Sequence, residues 1–358
     1  MMARQFLLGV IGADERTAAL GLRLGASSPF KEGPVKLHCW AAGSGGLGHA
    51  MSEARTGGGA AIQDEACEQV RAQARAAGVT FLSDWRAMLQ DSQVDAVFVG
   101  GPYAGRAEVV REALVAGKAV MCPLPMALTP EELESIAKVS EGRVLITPTD
   151  LSYTIAGKKL LAEVMSGNLG QLHSIFCALR ERAGPASGVF EDLGWEVVDF
   201  ILQCARAPLV RAQAFAGRLF APGAGPAAGG AGSQAGDPED DAVVFMLRFE
   251  GNVIASGEVA RSLTADSPSP READIDVAGT TSAVRAEPYK YTTNVWRQDP
   301  HAWSQHLWHT HPMTEMLEEL WKALADGRTE QGVIERSRQL IAVMDEVRRS
   351  MARGVPLQ

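Results

Sequence analysis

Residues 81–125 read FLSDWRAMLQDSQVDAVFVGGPYAGRAEVVREALVAGKAVMCPLP, and the order of segments in this stretch decides the fold. A helix-like segment precedes each of two apolar runs, VDAVFV at 94–99 and AVMC at 119–122. Short runs that are apolar at nearly every position are typical of strands buried on both faces. Strands that alternate with helices in this way predict βαβ units and a parallel sheet.

The same alternation extends through the first 150 residues, with further strand-like runs at 6–11, 35–42 and 144–147. We therefore predict a Rossmann-like, doubly wound parallel sheet over residues 1–150. Beyond this point strand-like runs follow one another with few helices between them. Residues 151–358 are predicted to form an α+β domain with a large open, mainly antiparallel sheet. Its predicted strands are LHSIFCALR, VRAQAFAGRLF, AVVFMLRFE, NVIASGEVAR and ADIDVAG, and its closing helices span 314–325 and 332–351.

The composition of the chain argues against several functional classes. The chain has 358 residues, of which 46% are hydrophobic, and a formal net charge of −9. An acidic chain is disfavoured as a sequence-blind nucleic-acid binder, which needs a positive surface. No apolar stretch reaches membrane-spanning length, and the N-terminal apolar run ends in charged residues, unlike a signal peptide. These features predict a cytoplasmic protein with neither nucleic-acid nor membrane partners.

Five cysteines are scattered without a CxxC pair, which predicts reduced and mostly buried thiols. They are Cys39, Cys67, Cys122, Cys177 and Cys204. Two segments rich in Gly and Ala, Gly43–Ala61 and Ala221–Asp241, are predicted to be mobile insertions, because they contain little to bury. Residues 43–48 in the first of them spell G-x-G-x-x-G. This isolated match is weak evidence for a dinucleotide-binding turn, and we prefer the interpretation of the segment as an insertion.

Four of the seven histidines lie in HAWSQHLWHTHP, at His301, His306, His309 and His311. Imidazoles at such spacing can bind zinc or copper, but no cysteine or carboxylate motif accompanies them. A packing loop or a subunit contact is the alternative. We predict no metal site, and the sequence leaves the role of this cluster open.

Taken in order along the chain, five stretches resemble the glucose–fructose oxidoreductase and inositol dehydrogenase (Gfo/Idh/MocA) family. They are FLLGVIGA, residues 81–125, SGNLGQLHSI, EDLGWEVVDFI and the closing pair of helices. The resemblance implies a Rossmann-like domain followed by an open-sheet domain. It also implies NAD or NADP as cofactor and a sugar or polyol as substrate.

The cofactor residues of this family are degenerate here. Gly12 stands at the first glycine of the dinucleotide turn, but Asp14 and Thr17 stand at the second and third. A carboxylate at Asp14 adds bulk and negative charge where the backbone must approach a pyrophosphate. The second predicted strand ends without the acid that binds the ribose, and Ser44 with Arg55 is the candidate for a 2′-phosphate instead. Pro102 matches the family, yet Tyr103 and Arg106 replace the Asn and His that usually follow.

The catalytic residues depart as well. By resemblance, the family's Glu-Lys-Pro lysine lies beside the nicotinamide, and Leu124 occupies its position. The family's general acid/base histidine corresponds to Glu196, flanked by matching Asp192 and Asp199. These three acids share one helical face. That face is either solvated or lines a polar cleft, and in the second case the three acids are the candidate catalytic residues.

Two functions follow. The first is an oxidoreductase of this family, by descent NAD(P)-dependent, whose hydride-transfer site is lost or rebuilt. The second is a non-catalytic ligand sensor, regulatory subunit or assembly subunit that retains only the fold. In either case a small polyol or sugar is the expected ligand. The apolar strand AVVFMLRFE predicts a sheet covered on both faces, and hence a homo-oligomer or a heteromeric protein partner.

Overall fold

The computed structural model describes residues 5–12, 17, 20, 24, 35–41, 68, 71–72, 74–75, 78–82, 84–101, 103–182, 188–218, 240–290, 292–297, 302–307, 311–327 and 332–353. The chain divides into two compact units. The first contains Met1–Pro148 and Met316–Arg338, and the second contains Thr149–Glu315 and Gln339–Gln358. Several predicted features lie outside the described residues: Asp14, Ser44, Pro102, both predicted insertions apart from Asp240 and Asp241, and His301 and His309 of the histidine cluster.

The first unit contains a six-stranded sheet in the order β3-β2-β1-β4-β5-β6, in which every neighbouring pair is parallel. This is the strand order of dinucleotide-binding folds, and the predicted Rossmann-like sheet is confirmed. The strands are β1 (Phe6–Ile11), β2 (Val35–Ala41), β3 (Thr80–Leu82), β4 (Ala96–Val99), β5 (Ala119–Met121) and β6 (Leu145–Ile146). The helices with described bounds are α1 (Trp85–Gln90), α2 (Arg106–Val115) and α3 (Pro130–Ser140).

Local signals explain these boundaries. Every residue of β4 and β5 is buried, as expected for central parallel strands. Helix α3 begins with a reciprocal cap: Thr129 Oγ1 accepts from the Glu132 N–H, and the Glu132 carboxylate accepts from the Leu128 N–H at 2.7 Å. Strand β3 was not predicted, because a three-residue strand at a sheet edge is too short to show a recognisable apolar run.

The second unit contains an eight-stranded sheet in the order β14-β13-β12-β11-β7-β10-β9-β8, with one parallel pair, β10 with β7. The predicted open, mainly antiparallel sheet is thereby confirmed. Its strands are β7 (Leu172–Arg182), β8 (Leu209–Gly217), β9 (Ala242–Phe249), β10 (Ile254–Leu263), β11 (Arg271–Gly279), β12 (Ser282–Glu287), β13 (Thr292–Arg297) and β14 (Ala302–Leu307). The remaining helices are α4 (Asp150–Tyr153), α5 (Ile155–Met165), α6 (Val189–Ala205), α7 (Pro312–Asp326) and α8 (Val333–Arg353).

Helix α6 covers one face of this sheet and packs against β7, β9 and β10. Phe190 on the helix meets Phe245 on β9 edge to face, with ring centroids 5.7 Å apart. The helix is buried around almost its whole circumference. Strands β12 to β14 were missed in the sequence, because polar residues interrupt their alternation.

The four cysteines of the described residues, Cys39, Cys122, Cys177 and Cys204, are buried thiols, which confirms the expectation for these four. Burial raises the pKa of the Cys39 thiol to about 11, and the neighbouring Asp91 carboxylate adds to the rise. Burial also raises the pKa values of Cys177 and Cys204. These thiols are therefore protonated at neutral pH.

We expect these four thiols to resist alkylation in the native protein at pH 8. A pKa raised to about 11 for Cys39 lowers its thiolate fraction there by roughly 100-fold. Timed iodoacetamide labelling with peptide mass spectrometry measures this, and the guanidinium-unfolded protein is the control. Labelling of Cys39 at the unfolded rate would contradict the expectation.

Part of the exposed face of the second sheet is apolar. Val244 and Met246 on β9 are 48% and 52% exposed, whereas Val243, Phe245 and Leu247 are buried. The apolar run AVVFMLRFE therefore has only one face covered within a single chain. The sheet register places Phe215, Ile254 and Trp296 on the same open face.

Candidate functional site

Gly12 ends β1 at the carboxyl edge of the parallel sheet, where such sheets bind ligands. Its φ is +126°, and an added Cβ would lie 2.7 Å from the carbonyl carbon of Gly100 and 2.8 Å from the amide nitrogen of Gly101. The loops after β1 and β4 thus touch backbone to backbone. Packing alone requires glycine here, whether or not a dinucleotide binds.

Trp40 lies next to this turn, near the end of β2. Its indole Nε1 donates to the carbonyl oxygen of Gly12 at 2.9 Å, and the side chain is fully buried. The Gly12 N–H in turn donates to Ala41. The first glycine is therefore tied to β2 by one backbone and one side-chain hydrogen bond.

Leu124 follows β5 at the same edge, and the residue is 2% exposed. It is part of the core, so neither its chemistry nor its position provides the cation expected beside a reacting oxygen. The guanidinium of Arg106, at the start of α2, lies against the same loop. Its Nη1 donates to the carbonyl oxygens of Pro123 and Pro125 at 3.1 and 3.0 Å, and its Nη2 donates to that of Gly101.

These residues fit a nicotinamide dinucleotide poorly. Gly12 is compatible with one, but no lysine stands at position 124. The guanidinium of Arg106 occupies acceptors at the carboxyl ends of β4 and β5.

In the second unit, α6 places Glu196 against the start of β11. Glu196 is 2% exposed, and its Oε1 lies 2.9 Å from Nη2 of Arg271. Arg271 also contacts Asp150 through Nη1 at 2.8 Å and Glu181 through Nε at 2.9 Å. Three carboxylates thus surround one guanidinium. We call these four side chains the Arg271 cluster.

Arg271 remains charged despite its burial. Burial lowers its pKa, but the attraction of Glu196, followed by Tyr289, Asp150 and Glu181, outweighs this and holds the pKa well above its ordinary value. The Tyr289 ring centroid lies 5.5 Å from the guanidinium carbon. Glu196 is therefore held as an ion-pair partner.

The other two candidate acids have separate partners. Asp192 pairs with Arg261, and the side chain of Asp192 is 35% exposed. Asp199 is fully buried and accepts from Gln203 Nε2 at 2.7 Å. The acidic face of α6 is thus not a solvated one, because Glu196 and Asp199 are inside the fold. Among the described residues, no contact brings Asp192, Glu196 and Asp199 together at one point.

Sequence reasoning missed most of this arrangement. The Glu196 position followed from the D-x-G-x-H-x-x-D resemblance, but nothing local marks Arg271 as its partner, or Asp150 and Glu181 as the other acids that pair with Arg271. They lie 75, 46 and 15 residues away along the chain and meet only in the fold. Among the described residues no group of three or more His, Cys, Asp or Glu side chains is arranged to hold a metal ion. No described helix has the length and apolarity needed to cross a membrane.

The strand order of the first unit is that of a dinucleotide-binding fold, and a second unit with an open sheet follows it. Residues 43–146 match the model of the Gfo/Idh/MocA oxidoreductase family, described as an NAD-binding Rossmann fold. The predicted resemblance to this family is confirmed over these residues. An uncharacterized oxidoreductase of Bacillus subtilis strain 168, YrbE, is 27% identical over 143 residues, which span 37% of this chain and 42% of that protein. The alignment thus covers less than half of that relative.

Solved structures extend the likeness of fold to nearly the whole chain. An oxidoreductase domain protein from Kribbella flavida has a TM-score of 0.74 at 19% identity, covering 99% of this chain and 98% of that one. Levoglucosan dehydrogenase in complex with NADH and L-sorbose has a TM-score of 0.71 at 18% identity, covering 98% and 97%. GenD2 from gentamicin A biosynthesis, in complex with NAD, has a TM-score of 0.72 at 17% identity, covering 99% and 96%.

Proposed function

We propose that this chain keeps the family fold without conventional NAD(P)-dependent dehydrogenation, and that it acts as a ligand-binding sensor, regulatory or assembly subunit. The observation that carries the proposal is the Glu196–Arg271 pair. A general base must reach the substrate proton, and Glu196 is buried and paired at 2.9 Å. Moving its carboxylate toward a substrate would break a buried ion pair.

The Rossmann-like unit supports the same proposal. Leu124 provides no charge, and losing one preorganised electrostatic group costs ~10²–10³ in rate. Asp14 stands in the sequence where the family has a glycine against the pyrophosphate. Three separate functions, namely phosphate binding, polarisation of the reacting oxygen and proton transfer, are therefore weakened together. A small polyol or sugar remains the expected ligand class, since levoglucosan dehydrogenase forms a complex with L-sorbose.

We expect titration of the full-length protein with NADH and NADPH to show no saturable change in nicotinamide fluorescence at micromolar concentrations. We also expect no reduction of NAD or NADP with polyols. Asp14→Gly should improve dinucleotide binding, because it removes charge and bulk from the turn. A micromolar dissociation constant for the unmodified protein would overturn the binding claim, and polyol-dependent cofactor reduction would overturn the claim about chemistry.

A rebuilt dehydrogenase is the second candidate, and one observation favours it. Asp192 is partly exposed beside Arg261, so a carboxylate–guanidinium pair at the start of α6 remains open to a ligand. In that case Asp192 and Glu196 form the acid/base pair. Asp192→Asn would then abolish a measurable turnover, whereas under the proposed function there is no turnover to lose.

We further propose that the chain works as a homo-oligomer that covers the open face of the second sheet. Five large apolar side chains on that face are 41–52% exposed in one chain: Phe215, Val244, Met246, Ile254 and Trp296. Contiguous exposed apolar surface of this kind marks interaction sites. A second copy covers it with the same residues.

Met246→Asp is expected to shift the protein toward monomer, since it buries a charge in the proposed interface. Light scattering at micromolar concentration measures the mass. Val115→Asp is the matched control, because Val115 is 59% exposed on α2 in the other unit. Wild-type protein of monomer mass, or equal effects of the two variants, would contradict a homo-oligomer formed through this face.

A further inference from the structure

A groove crosses the open face of the second sheet along the parallel pair β7 and β10. Its volume is about 290 Å³. Its lining on this face includes Ser174, Phe176, Met246, Ile254, Ser256 and Asp276. Large and small side chains alternate across the two strands, because Ser174 is paired with Ile254. One position pair further along, the large residue is Phe176 on β7 and the small one is Ser256 on β10. A partner must match both the depressions and the protrusions.

Two unlike charges lie on either side of this groove. Arg248 on β9 is exposed, and its Nη2 donates to Asn252 Oδ1 at 3.5 Å. Among the described residues, Arg248 has no ion-pair partner. Asp276 on β11 is 44% exposed and lies 3.9 Å from Arg285. Burial raises the pKa of Asp276, and Arg285 opposes this only in part, so a further cation would stabilise the charged carboxylate.

These two charges are too far apart to meet within one chain. Strands β10 and β7 separate β9 from β11, which puts the two backbones roughly 14 Å apart. A two-fold axis that crosses the face between β7 and β10, along the strands, brings β9 of one copy over β11 of the other.

The same axis matches the side chains of the groove by size. It brings Phe176 of one copy over Ser256 of the other. It also brings Ile254 over Ser174, so a large side chain meets a small one in each case. An axis over β9 would instead bring Arg248 against Arg248 of the second copy, and like charges across an interface repel. Size and charge therefore favour the axis between β7 and β10.

We propose that a second copy of this chain binds to this groove about that axis, with Arg248 of each copy paired to Asp276 of the other. This inference rests on the proposed homo-oligomer and specifies its register. A two-fold interface must be complementary to itself, and each of these pairs then occurs twice. A different protein would not require the face to match itself, so the face favours a second copy over a heteromeric partner.

Mixing of charge-reversed variants of the full-length protein tests the register. Arg248→Glu alone should raise the dimer dissociation constant by about tenfold or more, because a like-charge contact arises twice, and Asp276→Lys alone should do the same. An equimolar mixture of the two variants should form heterodimers within about threefold of the wild-type affinity, since opposite charges then meet at both contacts. Analytical ultracentrifugation and native mass spectrometry measure this. Arg143→Glu, at an exposed position in the first unit, is the matched control and should leave the constant unchanged.

Cross-linking is a second measurement that does not depend on the charge-reversed variants folding. A mixture of Arg248→Cys and Asp276→Cys should give a covalent dimer with a bismaleimide that spans about 10 Å, the spacing of packed sheets. Wild-type protein is the control for the native thiols. A wild-type dimer with neither rescue by mixing nor cross-linking would overturn this register and leave the homo-oligomer intact. Wild-type protein of monomer mass would defeat the homo-oligomer itself.

Discussion

Arg271→Met is expected to lower the free energy of unfolding by about 3–5 kcal/mol, the usual cost of removing one partner from a buried ion pair. Methionine preserves much of the side-chain volume but removes the guanidinium that contacts Asp150, Glu181 and Glu196. Glu196, at 2% exposed, would then be a buried carboxylate that has lost its ion pair with Arg271. Urea unfolding followed by circular dichroism measures the change.

Arg285→Met is the matched control. Arg285 also lies in the second sheet and contacts two acids, Asp274 at 3.4 Å and Asp276 at 3.9 Å, but its side chain is 43% exposed. Exposed pairs contribute about 0–1 kcal/mol, so a small effect is expected. If Arg271→Met cost no more than this control, the Arg271 cluster would not be a buried structural unit. The proposal that Glu196 is held away from catalysis would then lose its basis.

Gly12→Ala is expected to destabilise the protein by about 2–4 kcal/mol, because backbone strain and overpacking act together. At φ +126° an L-residue is strained, and the new Cβ would lie 2.7 Å from the carbonyl carbon of Gly100. That neighbour is backbone and cannot rotate away. Thermal and urea unfolding measure the loss without any ligand present.

Gly78→Ala separates the effect of backbone strain from the effect of overpacking. Gly78 has a φ of +72°, but a Cβ there meets nothing within 4 Å. Only the conformational cost remains, about 1 kcal/mol. An equally small loss at Gly12 would mean that packing does not require this glycine, and its retention would again be evidence for a dinucleotide. A large loss means that glycine at this position is not evidence of cofactor binding.

These two experiments address the same question about the family resemblance. Motif positions can survive for packing after the chemistry they once served has gone. Gly12 illustrates the first half of that statement by its contact with Gly100 and Gly101. Under the proposed function Glu196 illustrates the second, because the titratable residue at the family's acid/base position pairs with Arg271. Neither residue alone defines an activity, and proteins with the same fold have many different functions.

The sequence by itself determined the class of fold. Runs such as 94–99 and 119–122, apolar at nearly every position and separated by amphipathic helices, can be buried only as central parallel strands, because local patterning and burial agree there. It also determined which family residues are absent, since Asp14 and Leu124 are read directly from their positions. Short or polar strands such as β3 and β13 carried too little pattern to be predicted.

The tertiary structure alone decided what the remaining residues do. The members of the Arg271 cluster come from α6, β7, β11 and the start of α4, and the acceptors of Arg106 come from two separate loops. Periodicity assigns a side chain to a face of its own helix, but it does not indicate which distant charges meet it there. Burial in a shared low-dielectric interior then sets whether a carboxylate is a free base or half of an ion pair, and that depends on contacts between residues far apart in the chain.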